Sequence, residues 1–191
     1  MSMRLNLSGF KLAKLHKLLS DRDPAAVEAV EAKAARELKR RMDPDFAQAF
    51  QETLRLVIEN GAPVDGLDRE GPVHAFLADR LVDLAGRRAC PDCDFKYVPL
   101  LELLEAVEST PDPVARQALG HLLEGRPLFG RGVPESPIYG FLSRQEATEL
   151  QSRLEALAEG DDEDVGEIAG ELAELLGEIT SKSLDVWAFV A

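Results

Sequence analysis

The chain has 191 residues, of which 45% are hydrophobic, and it carries a net charge of −13. The hydrophobic content excludes an intrinsically disordered chain, and the acidic balance disfavours binding to nucleic acid or to an anionic membrane. No apolar run approaches the ~20 residues of a membrane span, and the N-terminus lacks a signal-peptide pattern. We therefore expect a soluble, cytoplasmic protein.

The N-terminal half is predicted to be mainly helical after one short strand. Residues 3–7 alternate apolar and polar side chains, which indicates a strand near a sheet edge. From Phe10 to Leu19 the apolar spacing is helical. Asp23-Pro24 and Asp43-Pro44 each combine a capping oxygen with a proline at the first helical position, and predict helices that end near Arg41 and Asn60.

The middle of the chain is also predicted to be helical, up to a long irregular loop. Helices are predicted from Val73 to Leu84, from Val98 to Val107 and, after Thr110, from Pro111 to Glu124. Residues 125–137 contain three glycines and three prolines, which excludes regular structure there.

The C-terminal part is predicted to be strand, helix, helix and strand. Residues 138–142 read as a short strand, and Ser143 with Glu146 forms a capping box that opens a helix to about Glu159. A second helix leads into residues 184–190, whose aromatic and β-branched side chains predict an interior strand.

These elements define an α+β protein that is mainly helical, with about seven or eight helices. A sheet of two to four strands is expected to join residues 3–7, 138–142 and 184–190. We expect a single domain over residues 1–191, in which the 125–137 loop separates a helical part (8–124) from a C-terminal part (138–191).

Cys90-Pro-Asp-Cys93 is the one motif that suggests chemistry by itself. Cys90 and Cys93 are candidate zinc ligands, but a structural site needs four ligands, and only His74, His121 or nearby carboxylates remain to complete it. A redox dithiol is the second alternative, although adjacent acids raise a thiol pKa. The third interpretation, two reduced thiols in a loop without a cofactor, is the one we expect.

The acidic run at residues 161–164 has two interpretations. An EF-hand that starts at Asp161 would place Val165 and Leu172 where oxygen ligands are required. Acidic residues also favour a helix N-terminus, so we expect capping. The aromatic residues Tyr139, Phe141, Trp187 and Phe189 are expected in the core, with a ligand cleft beside them as the alternative.

Several segments resemble an uncharacterised bacterial family, a domain of unknown function. One is residues 54–65 together with His74 and its helix, and another is the strand and helix from Arg4 to Leu19. The C-terminal segments, residues 139–142 and 185–190, are similar to small α+β bacterial proteins whose terminal strands share a sheet. The resemblance implies no catalytic residue.

The charge distribution leads to a functional expectation. Residues 143–191 carry 13 Asp/Glu against 3 Lys/Arg, whereas residues 1–60 carry 9 against 11. An acidic surface attracts a basic protein, so we expect a non-enzymatic interaction or regulatory protein of antitoxin or immunity type. Two alternatives stay open: acidity that serves solubility alone, and an enzyme or small-molecule-binding protein with a cleft near the 125–137 loop and the sheet.

Overall fold

A computed structural model describes residues 3–60, 71–109, 112–128, 137–160 and 162–190, with backbone alone at residues 60 and 91–94. These ranges contain four strands: β1 (Arg4–Phe10), β2 (Arg88–Lys96), β3 (Ile138–Leu142) and β4 (Asp185–Val190). They also contain eight helices: α1 (Leu12–Asp21), α2 (Pro24–Arg41), α3 (Pro44–Asn60), α4 (Gly71–Leu84), α5 (Tyr97–Glu108), α6 (Pro113–Leu123), α7 (Arg144–Ala158) and α8 (Glu163–Ser181). The α+β, mainly helical class is confirmed.

The four strands form one antiparallel sheet in the order β2-β1-β4-β3. The N-terminal and C-terminal strands pair directly, with Leu5 opposite Val190 and Ser8 opposite Trp187. The interior position predicted for β4 is confirmed. The edge position predicted for β1 is wrong, because β2 pairs with its other side.

Strand β2 is the element that the sequence analysis missed. The segment Arg88–Lys96, expected to be a loop around the cysteines, pairs with β1 at the edge of the sheet. The register changes from Asn6 opposite Asp94 to Ser8 opposite Ala89, so β2 holds extra residues in this interval. Such a bulge accommodates Pro91, which has no N–H to donate to a regular ladder.

Helices α1 and α6 both begin two residues later than predicted. Phe10 lies at the end of β1 rather than in a helix, and α1 begins at Leu12. Helix α6 begins at Pro113, where the Asp112 carboxylate accepts hydrogen bonds from the N–H groups of Val114 and Ala115 at 3.0 and 3.2 Å. The cap-and-proline device is therefore used one dipeptide later than predicted, and Thr110-Pro111 lies outside the described residues.

The chain divides into two compact units, which we describe separately. Unit 1 comprises Met1–Phe10, Arg88–Arg126 and Ile138–Ala191, and unit 2 comprises Lys11–Arg87 and Pro127–Pro137. These boundaries differ from the expected division at residues 125–137, because the sheet draws the N-terminal strand and β2 into the C-terminal unit. That residues 1–191 form a single domain stays a prediction.

Unit 1 buries one face of the sheet beneath α5, α6, α7 and α8. Leu and Ala side chains of the four helices pack there against the strands. The strand residues on this face, from β1, β3 and β4, are Leu5, Leu7, Leu142, Val186, Ala188 and Val190. On the alternate strand positions, Tyr139 stacks on Trp187 with ring centroids 5.4 Å apart, and Phe10 meets Trp187 edge to face. The predicted core placement of Tyr139 and Trp187 is confirmed, since both are almost fully buried.

Unit 2 contains helices α1 to α4 and an aromatic cluster. The rings of Phe46 and Phe50 each meet Phe76 edge to face, at 5.7 and 5.3 Å. The guanidinium groups of Arg41 and Arg80 both lie over the Phe76 ring, at 5.2 Å from its centroid. These edge-to-face and cation–π contacts join α2, α3 and α4.

Candidate functional site

The cysteine motif lies in unit 1, on the edge strand β2. Cys90 is half-buried and disulfide-bonded, and its Sγ lies 3.6 Å from Oε2 of Glu178 on α8. A disulfide sulfur carries no hydrogen, so this is a contact and not a hydrogen bond. The structure thus differs from the expectation of reduced thiols in a loop, because Cys90 is oxidised and belongs to a strand.

Among the described side chains, no group of three or more potential metal ligands forms around Cys90. His121 lies on α6 of unit 1, while His74 is a buried residue of α4 in unit 2. Within the described ranges, no three side chains of His, Cys, Asp or Glu converge on a point that would hold a metal ion. Zinc binding by Cys90 and Cys93 stays an untested alternative, which elemental analysis can test.

Helix α8 begins in the acidic run. The side chain of Asp162 accepts a hydrogen bond from the Val165 N–H at 3.2 Å, as an N-cap residue does. Glu163 and Asp164 then occupy the first turn, where the helix dipole favours negative charge. The predicted capping role is confirmed for Asp162, and Asp161 lies outside the described residues.

The rest of α8 separates its side chains into a buried face and an acidic face. The buried face includes Ala169, Leu172, Leu176 and Ile179. The exposed glutamates recur three or four residues apart, which places them in one stripe along the helix. We call this stripe the acidic face of α8, formed by Glu163, Glu167, Glu171, Glu174 and Glu178.

Basic residues are nearly absent near this stripe in the sequence. No Lys, Arg or His occurs between Arg153 and Lys182. Lys182 donates from Nζ to Oε1 of Glu178 at 2.5 Å, and Arg153 on α7 pairs instead with Asp112 at 3.1 Å. Within the described residues, the central glutamates Glu167, Glu171 and Glu174 therefore have no ion-pair partner.

A second group of polar side chains surrounds the C-terminal end of α6. The predicted capping box is confirmed, because Ser143 N–H donates to Glu146 at 2.7 Å and Glu146 N–H donates back to Ser143 Oγ at 3.2 Å. Arg126 donates from Nη1 to both oxygens of Glu146 at 2.9 Å, and its guanidinium lies 4.5 Å from the Phe141 ring centroid. Arg126 is therefore held by a carboxylate and an aromatic ring.

These contacts shift three pKa values. Burial alone would raise the pKa of Glu146, but the bonds from Ser143 and Arg126 outweigh it and lower that pKa. Burial and then Arg126 lower the pKa of His121, with partial compensation from Glu146. Burial and then Glu124 raise the pKa of Tyr97, whose hydroxyl donates to the Leu123 carbonyl at 2.8 Å. Shifted pKa values that cluster in this way are typical of functional sites.

A cleft of about 400 Å³ lies beside this group, between α5 and α6. Its lining combines two apolar side chains with charged and amide groups and two glycines: Leu104, Glu108, Pro113, Arg116, Gln117, Gly120, His121, Glu124 and Gly125. We call it the α5–α6 cleft. The sequence analysis proposed His121 only as a zinc ligand and missed Glu124 and Arg126, because nothing in the local pattern shows which side chains of α5 and α6 meet.

Comparison with known proteins gives no relative. No protein-family model, curated protein or solved structure matches the chain. This result is consistent with the resemblance to an uncharacterised family. None of the helices in the described ranges is both long and apolar enough to cross a bilayer.

Proposed function

We propose that the chain is a non-enzymatic interaction or regulatory protein, of antitoxin or immunity type, that binds a basic protein through the acidic face of α8. The observation that supports this most directly is the exposed stripe of glutamates, whose central members Glu167, Glu171 and Glu174 have no ion-pair partner within the described residues. At ~1.5 Å of rise per residue, the stripe from Glu163 to Glu178 extends about 22 Å along the helix. That length matches the footprint of a partner helix or strand.

The stripe has an energetic cost that a partner would relieve. Like charges three or four residues apart destabilise a helix by about 0.2–0.5 kcal/mol per pair. A basic surface replaces this repulsion with attraction, and it also steers the encounter, which raises the association rate at low salt. We therefore expect fast binding that weakens as the salt concentration rises.

A pull-down with two charge-matched variants tests the proposal. The variant E167K/E171K/E174K reverses the centre of the stripe, away from the α8 cap and from the Glu178–Lys182 pair. The control E28K/E52K/E59K makes the same change in net charge at exposed positions of α2 and α3. We expect the wild type and the control to retain a basic protein that the α8 variant loses. Equal retention by both variants would contradict the proposal.

A further inference from the structure

We propose that the α5–α6 cleft binds a small organic molecule through its cationic group, an alkylammonium or a guanidinium, with the Glu124 carboxylate as counter-ion. This inference is independent of the interaction function, since the cleft and the acidic face of α8 share no residue. It rests on the size of the cleft, the charges that line it and the position of Glu124.

The size and lining of the cleft suit a small ligand. Its volume of about 400 Å³ falls within the range of roughly 300–1,000 Å³ that is typical of small-molecule sites. Leu104 and Pro113 supply an apolar surface for an alkyl chain. Gly120 leaves room for the carboxylate, because an added Cβ there would lie 3.2 Å from Oε2 of Glu124.

The charges of the cleft leave one carboxylate uncompensated. Arg116 donates from Nε and Nη2 to Oε1 of Glu108, at 3.1 and 2.9 Å, so these two residues neutralise each other. Glu124 has no ion pair within the described residues, and it acts on the Tyr97 hydroxyl by raising its pKa. Glu124 is exposed to solvent, so a cation that enters the cleft can reach its carboxylate.

The neighbouring imidazole supports a cation rather than an anion. Burial and the charge of Arg126 lower the pKa of His121, so the ring is neutral at physiological pH and brings no positive charge to the cleft. Within the part of the chain that the structure describes, its buried Nδ1 has no hydrogen-bond partner. Arg126 is bound to Glu146, so it does not neutralise Glu124 either.

Titration with n-butylammonium, followed through backbone amide chemical shifts, tests the proposal. We expect saturable changes at Gly120, His121 and Glu124 with a dissociation constant on the order of 10 mM, as befits so small a ligand. The neutral analogue 1-butanol and the anion butyrate have the same chain length, and neither should reproduce these changes. Equal changes with 1-butanol would overturn the role of charge.

Variants make the assignment specific to Glu124. We expect E124Q to weaken n-butylammonium binding by about tenfold or more, equivalent to ~1.4 kcal/mol. G120A should weaken it as well, by displacing the carboxylate. The control E105Q removes an exposed glutamate of α5 that lies outside the cleft and should bind as the wild type does. Unchanged binding by E124Q would overturn the proposal.

A further titration distinguishes a small-molecule cation from a basic side chain of a protein partner. A pentalysine peptide offers the same ammonium group on a chain, as a basic protein would. Binding of n-butylammonium at the cleft supports a small-molecule site. Binding of the peptide without binding of n-butylammonium would assign the cleft to a protein partner and overturn the proposal, as would the absence of any shift change up to ~100 mM, about ten times the expected dissociation constant.

Discussion

Gly140 in β3 lies where the sheet closely approaches the end of α6. A Cβ at this position would overlap the carbonyl oxygen of His121, and the Arg126 N–H donates to the neighbouring Tyr139 carbonyl at 3.1 Å. The approach therefore fixes the backbone on which His121 and Arg126 are placed. A glycine at residue 140 is a requirement of the site as well as of the fold.

We predict that G140A lowers the free energy of unfolding by about 3 kcal/mol, because backbone atoms cannot move aside as a flexible side chain can. Urea denaturation measures this change. The control is G170A on α8, where an added Cβ makes an ordinary contact of 3.7 Å with the Ala158 Cβ. That variant should be neutral or more stable by about 0.5–1 kcal/mol. Equal stabilities of the two variants would refute the close approach.

Glu146 provides a prediction about pH. Its folded-state pKa lies below the ordinary value of 4.5, so its ionised form stabilises the fold above the unfolded-state pKa. That contribution is lost as the pH falls through the lowered pKa. We therefore expect E146Q to be less stable than the wild type at neutral pH and to converge with it in acid.

Chemical denaturation at both pH values tests this expectation. The control E159Q changes an exposed glutamate at the end of α7 and should stay within about 0.5 kcal/mol of the wild type at neutral pH. A constant difference between E146Q and the wild type, from neutral pH to well below pH 4.5, would show that the Arg126 and Ser143 contacts do not depend on the charge of Glu146.

The disulfide bond of Cys90, in strand β2, leads to a prediction about its reactivity. Because Cys90 is disulfide-bonded, we predict that it resists alkylation until a reductant is added, as peptide mapping would show. A disulfide sulfur is not a thiolate ligand, so protein purified without a chelator should contain no stoichiometric zinc, and a chelator should not change its melting temperature. One zinc per chain would contradict this account.

At the scale of elements, local chemistry predicted the helices better than the sheet. Asp23 and Asp43 cap α2 and α3 as expected, with bonds to Ala25 N–H at 2.9 Å and Phe46 N–H at 3.0 Å. A cap acts within its own helix, so its signal is local. The residues that oppose β1 are instead 79 (Gly9 to Arg88) to 185 (Leu5 to Val190) positions away along the chain, which is why its interior position was missed.

Strand β2 is a second element whose pairing could not be predicted from its local sequence. Its proline and two aspartates are residues that favour turns, and they predicted a loop. Pairing with β1 overrides that preference on both sides of the bulge, where Leu5 lies opposite Phe95 and Ser8 opposite Ala89. Strand propensity depends on neighbours that one segment of sequence does not contain.

At the scale of the whole molecule, the sequence predicted those features of the candidate sites that depend on composition and on helical spacing. The acidity of residues 143–191 follows directly from composition, and helical periodicity places its glutamates on one face of α8. The α5–α6 cleft was not predictable in detail, because its lining comes from two helices whose packing is set by tertiary contacts. Its lining includes Gly125, at the start of the segment near which a cleft was considered.

The central claim is that the acidic face of α8 binds a basic protein. The most direct test measures the affinity of the partner captured by the wild type for E167K/E171K/E174K and for the control E28K/E52K/E59K, at low salt. The account predicts that affinity falls by about 100-fold in the α8 variant, because three attractions become repulsions, and stays within about threefold of the wild type in the control. Equal affinities of the two variants would contradict it.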